Sequence, residues 1–374
     1  MADAPRFDLQ ELLKFSVSQG VSDIHLKSGR PPIFRRASSM DLVGPKNMAI
    51  LEGHDVMALF EGLLEEHQRV LLRERGQIDL GWGMEGLGRF RVNLFRSRVG
   101  YQAVIRVIPT RIPTLQELGL PKTLQTIAGE RRGLVLVTGA TGQGKSTTLA
   151  AMADFINRQR SCHIVTIEDP IEFVIEDRRS VVTQREVGTD TATFADGLRA
   201  ALRQDPDVII VGEMRDRETV ETAMIAAETG HLVLSTLHTI DARETVNRIA
   251  AVFREDEQQE ARVLMSNVLR AVISQRLVAR ADGQGRVPAV EVMVATPRIR
   301  DMVRTAEGVD DLTEAIAQGQ SQYGMQTFDQ SLMVLFKEGR IRYEEAVAQS
   351  SNPADFALRV KGIGSGSPND SYTP

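Results

Sequence analysis

Gly139, Ala140, Thr141, Gly142, Gln143, Gly144, Lys145 and Ser146 set three glycines, a lysine and a hydroxyl residue at the spacing of a phosphate-binding loop, the Walker A pattern. The apolar run Leu134 to Thr138 precedes the loop and a helical pattern, Thr147 to Asn157, follows it. Strand, glycine turn and helix is the context this chemistry needs. Glycines let the backbone curl until successive N–H groups face inward and cradle phosphate oxygens. The helix start adds the positive end of its dipole at the same spot. Lys145 suits the β- and γ-phosphates, and the Ser146 hydroxyl suits the oxygen shell of a Mg²⁺ ion. Residues 139–147, through Thr147, are therefore expected to bind a nucleoside triphosphate.

Hydrolysis also needs a carboxylate that positions and polarises water. Asp207-Val-Ile-Ile-Val-Gly-Glu213 reads as a Walker B-like strand, four apolar residues and then an acid at the strand end beside the loop. His163-Ile-Val-Thr-Ile-Glu168-Asp169-Pro170 is a second strand ending in acids. Surface loop carboxylates are the alternative for both. His231 and His238 flank the apolar run Leu232 to Leu237 seven residues apart, an odd separation that puts them on opposite strand faces and argues against a shared metal. His238, just past the strand end, is placed to sense phosphate or a carboxylate; hydrogen-bonded packing is the competing reading for either histidine. Arg89, Arg91, Arg96, Arg98 and Arg106 cluster earlier in the chain, with Arg89 and Arg91 on one strand face opposite Phe90 and Val92. Such a face is either solvated or a source of arginine fingers for a phosphate on a neighbouring chain. No interleaved aromatics suggest base stacking, so nucleic acid is not expected.

With 374 residues, 42% of them apolar and 25% charged, the chain is an ordinary globular protein with room for two domains. Its net charge of -5 offers no general attraction to nucleic acid. The single cysteine, Cys162, excludes an internal disulfide and a multi-cysteine zinc site, and its apolar surroundings predict a buried thiol. Neither a signal peptide nor a run of about 18 apolar residues is present, which points to the cytoplasm with membrane contact only through a partner.

The elements that must position these residues follow from periodicity. Residues 8–19 predict an amphipathic helix, Ser22–Leu26 a strand, Val56–Arg75 a helix, and 77–82, 88–96 and 101–108 three strands. Residues 1–107 thus read as a small α+β domain. Proline-punctuated residues 108–120 read as a linker and 121–361 as the nucleotide domain. Buried-type runs at 134–138, 163–167, 208–211 and 232–236 alternate with helices, the mark of a parallel sheet covered on both faces. Helices are expected over 242–278, a strand at 289–294, a closing helical layer at 325–360 and a disordered tail at 362–374.

Together these stretches resemble the secretion ATPases that power type IV pili, type II secretion and related machines. Gly139–Ser146 resembles the family's Walker A, Thr166–Glu172 its Asp box, Ile209–Asp216 its Walker B, and Thr229–His231 through Leu237–Thr239 its His box. Ser22-Asp-Ile-His-Leu26, Gly88–Asn93 and Met325–Gln330 are similar to the pilus-retraction (twitching motility) branch, and one cysteine cannot build the four-cysteine zinc module usual in the extension branch. The resemblance implies a PAS-like N-terminal domain, a RecA-like P-loop domain and C-terminal helices, working as a cytoplasmic homohexamer with ATP and Mg²⁺. It also implies trans-acting Arg91 and Arg106, Glu213 and Glu168 acting on water and Mg²⁺, box histidines His231 and His238, an inner-membrane platform protein as partner, and a possible paralogous motor beside it. Two departures stand out. Gln143 replaces the more usual Ser at a position expected to contribute mainly its backbone. Ala295–Arg304 only partly resembles the stretch that retraction requires, which leaves principal motor, accessory motor and variant paralogue open. The rival readings are an extension or type II secretion motor, a DNA- or substrate-translocating ring, and a non-hydrolysing, nucleotide-gated assembly factor.

Overall fold

Two different burial patterns, alternating in the first hundred residues and continuous after them, build two different sheets. The structure is a computed structural model that describes residues 8–36, 42–43, 48–52, 54–84, 86–108 and 111–362. The tail from 363 onward and residues 109–110 of the expected linker lie outside the described residues. The chain divides into two units, Met1–Arg111 with Pro170–Val174, and Ile112–Asp169 with Ile175–Pro374.

In the first unit, α1 (Leu9–Ser18) starts at Asp8, whose carboxylate accepts the Gln10 N–H at 2.7 Å. Then come β1 (Val21–Lys27), β2 (Ile33–Arg36), β3 (Leu42–Val43), α2 (Asp55–Glu61), α3 (Glu66–Arg75), β4 (Gln77–Met84), β5 (Gly88–Ser97) and β6 (Gly100–Ile108). The strands form an antiparallel sheet in the order β3-β2-β1-β6-β5-β4. Phe90, Val92 and Leu94 of β5 alternate inward onto a core with Leu12, Leu13 and Phe60, as half-buried strands require. One expectation changes here. Val56–Arg75 is not one helix: Gly62 ends α2, and α3 restarts where the Glu65 N–H donates to the Gln68 side chain at 3.0 Å. Phe15 and Val17 of α1 are exposed, because the buried stripe runs through Leu9, Leu12 and Leu13.

The second unit runs α4 (Thr123–Ala128), β7 (Gly133–Thr138), α5 (Lys145–Gln159), β8 (His163–Glu168), β9 (Val181–Glu186), α6 (Phe194–Ala201), β10 (Val208–Val211), α7 (Arg217–Glu228), β11 (Leu232–Leu237), α8 (Ala242–Ala251), α9 (Gln258–Val268), β12 (Leu269–Ala279), β13 (Arg286–Val294), α10 (Pro297–Val303), α11 (Leu312–Gln318), α12 (Gln320–Tyr323), α13 (Phe328–Lys337), α14 (Tyr343–Gln349) and α15 (Pro353–Val360). Its sheet has the order β13-β12-β7-β11-β10-β8-β9, parallel except for β13. β7 is buried at every position because its residues alternate between two cores. Leu134 and Leu136 face the layer of α6 to α10, whereas Val135 and Val137 face α4 and α5. The helices α13 to α15 close over β12 and β13 through Phe328, Leu332, Leu335 and Phe356.

The helical reading of 242–278 holds only to Val268. Leu269–Ala279 is a strand, held in register between β7 and β13, where β-branched Val272 and Ile273 pack on the pleated surface. Cys162 is half-buried, with its Sγ 3.2 Å from Ser180 Oγ, because it stands just before β8 at the core's margin. No helix among the described residues is long and apolar enough to cross a membrane.

Candidate nucleotide site

The parallel order β7-β11-β10-β8 lines up four strand ends on one edge of the sheet, and the glycine loop leaves from the first of them. Gly139, Gly142 and Gly144 have φ of +143°, +77° and +83°, the left-handed region that favours glycine. A Cβ on Gly139 would fall 2.5 Å from the Gln275 carbonyl oxygen, so only glycine permits this approach to β12. The loop delivers Lys145 and Ser146 into the first turn of α5. Lys145 is buried, and its Nζ donates to the carbonyls of Gly139 at 2.8 Å and Ala140 at 3.1 Å.

The same ammonium lies 3.5 Å from His238 Nδ1, and His238 Nε2 lies 3.2 Å from Glu213 Oε2. With its proton on Nε2, the ring donates to Glu213 and accepts from Lys145 at Nδ1. Glu213 follows β10 and Gly212, and His238 follows β11. Their strand ends are tied together by Ser235 Oγ donating to the Val211 carbonyl and Thr236 Oγ1 to the Gly212 carbonyl, both at 2.7 Å. Glu213 also accepts from Arg215 Nη2 at 2.6 Å. A phosphate-binding loop, a lysine, an imidazole and a carboxylate thus form one continuous contact series.

Glu168 ends β8, next to β10, where its Oε1 accepts from Thr166 Oγ1 at 2.6 Å and Gln184 Nε2 at 3.0 Å. His231 stands off the other end of β11, about 20 Å from His238 at the strand rise. Its Nδ1 donates to the Ala226 carbonyl at 2.9 Å, which closes the end of α7.

In the first unit, Arg91 and Arg106 are directly paired across β5 and β6. Like charges so placed repel. Asp79, 3.6 Å from Arg91, and Asp23, 2.9 Å from Arg106, offset that repulsion while both guanidinium groups keep substantial exposure. Arg215, Gln184 and Gln275 were missed from the sequence. Arg215 lay inside the Walker B stretch, two residues after Glu213, whereas the two glutamines carried no local signal.

The chain matches the family described as Type II/IV secretion system protein over residues 73–346. It is 45% identical over 349 residues to the type IV pilus retraction ATPase PilT of Pseudomonas aeruginosa, covering 93% of this chain and 100% of that protein. It is 40% identical over 366 residues to the type IV pilus ATPase PilU of the same organism, covering 97% and 94%. A crystal structure of the pilus retraction motor PilT with bound ADP matches with a TM-score of 0.85 and 44% identity, covering 93% of this chain and 98% of that one. The mixed architecture, an antiparallel N-terminal sheet followed by a largely parallel ATPase sheet, is the one that match has in common with this chain.

Proposed function

The chain belongs to the Type II/IV secretion system protein family, and we propose that it is the ATP-hydrolysing motor of type IV pilus retraction, a cytoplasmic homohexamer acting on an inner-membrane platform protein. The observation that carries the reading is the series Lys145, His238, Glu213 at the end of the glycine loop. Inward N–H groups of residues 139–147 hold the α- and β-phosphates, and Lys145 leaves its loop carbonyls for the γ-phosphate. Glu213 orients the attacking water, and His238 links that carboxylate to the lysine that senses the phosphate. Glu168 supplies the second carboxylate at the same sheet edge. His231 keeps the His-box segment anchored to α7.

The donor set also fits Mg²⁺. Ser146 is exposed in the first turn of α5, and Glu168 and Glu213 offer hard carboxylate oxygens at and just past the ends of the adjacent strands β8 and β10. When bound, the ion neutralises charge on the β- and γ-phosphate oxygens. The exposed, directly opposed Arg91 and Arg106 suit a second set of phosphate oxygens, those of a nucleotide held by the neighbouring subunit. Closure and reopening of that interface during turnover then does mechanical work.

The test is Glu213→Ala, purified and also placed in the host chromosome. The protein should bind ATP as before but lose phosphate release, and cells should keep assembled pili yet stop twitching. Robust hydrolysis would remove Glu213 from its role, and undiminished twitching would remove the retraction reading.

A further inference from the structure

β12 is the wall on which the phosphate loop lies, and we propose that Gln143 and Gln275 are positioning residues that hold the loop in its nucleotide-binding shape. The ladder between β7 and β12 ends at the pair Thr138 and Ser274, whose hydroxyls are 3.0 Å apart. Beyond that pair β12 continues as a strand to Ala279, while its neighbour turns into the glycine loop. The Leu277 N–H therefore points from a strand edge whose neighbour has departed, and a part-buried amide there needs an acceptor. Gln143 Oε1 takes it at 2.6 Å. Gln275, 4% exposed, completes the arrangement in the other direction. Its Nε2 donates to the Gln143 carbonyl at 2.7 Å, and its Oε1 accepts from Thr148 Oγ1 of α5 at 2.8 Å. One carboxamide thus bridges the loop and the helix that the loop opens.

The loop needs this anchor for a conformational reason. Gln143 sits between Gly142 and Gly144, both in the left-handed region, and glycines are the residues that lose most freedom on being ordered. A Cβ on Gly142 would meet nothing within 4 Å, so the turn is open on that side. The backbone of Gly139 and Gly144, in contrast, is pressed onto Gln275, where added Cβ atoms would fall 2.5 Å from its carbonyl oxygen and 2.9 Å from its Nε2. The loop is wrapped around one side chain of β12 and tied to the next backbone amide but one. A serine at 143 would end two bonds short of the Leu277 amide. Preordering the loop lowers the cost of binding, so the effect belongs to nucleotide affinity rather than to the chemical step. This rests on the reading of residues 139–147 as the nucleotide site.

The experiment compares Gln143→Met, of equal length but without an oxygen, and Gln143→Ser with the parent chain and with Lys145→Ala. Kd for a fluorescent ADP analogue should rise about 3- to 10-fold in both Gln143 variants, the worth of one net hydrogen bond. KM for ATP should rise in step, with kcat within about twofold and the thermal midpoint without nucleotide unchanged. If Lys145→Ala weakens binding but Gln143→Met stays within about twofold of the parent, the positioning role is overturned while the site survives. A fallen midpoint with unchanged Kd overturns it as well, since the bond would then serve stability alone. If Lys145→Ala binds like the parent, the site reading fails and the proposal with it.

Discussion

Replacing Glu291 by Gln should stabilise the protein, and by more at pH 8 than at pH 5. Glu291 lies on β13, 4% exposed, and its Oε1 accepts the Ala242 N–H at 2.8 Å. Ala242 opens α8, and its N-cap Asp241 follows His238 by three residues, so this carboxyl underpins the segment that carries the histidine. Burial pushes the Glu291 carboxyl up to about 7 from its ordinary 4.5. Asp241 pushes the same way, and the Ala242 hydrogen bond and Arg276 push back. An acid with a raised native pKa is bound to its proton longer in the folded chain than in the unfolded one, so stability falls as pH rises between the two values. The whole difference is about 3 kcal/mol at about 1.4 kcal/mol per pH unit, and about 2–3 kcal/mol of it falls between pH 5 and pH 8. Gln keeps the acceptor for Ala242 and cannot ionise. The melting-temperature gain of Glu291→Gln over the parent should therefore widen by roughly 5–10 °C from pH 5 to pH 8, at about 2–4 °C per kcal/mol for a unit of this size. Thermal unfolding followed by circular dichroism in matched buffers measures it. An equal gain at both pH values would mean that Glu291 ionises as readily in the folded protein as in the unfolded one.

Gly139→Ala places a methyl 2.5 Å from the Gln275 oxygen at φ +143°, so the loop must leave β12. Titration with an ADP analogue should show affinity lost by about tenfold or more, as strain of over a kcal/mol implies, and parental affinity would contradict the close approach. Arg91→Ala should slow hydrolysis by about 10³-fold if the guanidinium serves a neighbouring subunit's phosphate. Rings mixed with a Lys145→Ala chain that keeps Arg91 should then recover phosphate release, and mixed rings as inactive as either parent would exclude action between subunits.

Local chemistry was readable wherever the backbone itself limits the residue. Three left-handed positions in the phosphate loop demand glycine, and β7 and β11, covered by helices on both faces, are buried at every step and mostly apolar. The alternation in β5 likewise separated Phe90 and Val92 from Arg89 and Arg91 before any partner strand was known. The break at Gly62 was the local signal overlooked, because the hydrophobic spacing runs on across it.

Tertiary structure decided everything that depends on which distant strands become neighbours. β12 could be read as helix because its run of apolar residues suits either period, and pairing with β7, more than 130 residues earlier, settles it. The meeting of Lys145, His238 and Glu213 follows from the order β7-β11-β10, and the facing of Arg91 and Arg106 from the register of β5 and β6. Gln143 shows the division within a single residue. Its place in the loop is written in the glycines beside it, but the use of its side chain is decided by a strand edge that no neighbouring residue announces. Backbone preference is a property of adjacent residues, whereas a hydrogen-bond partner is a property of long-range register.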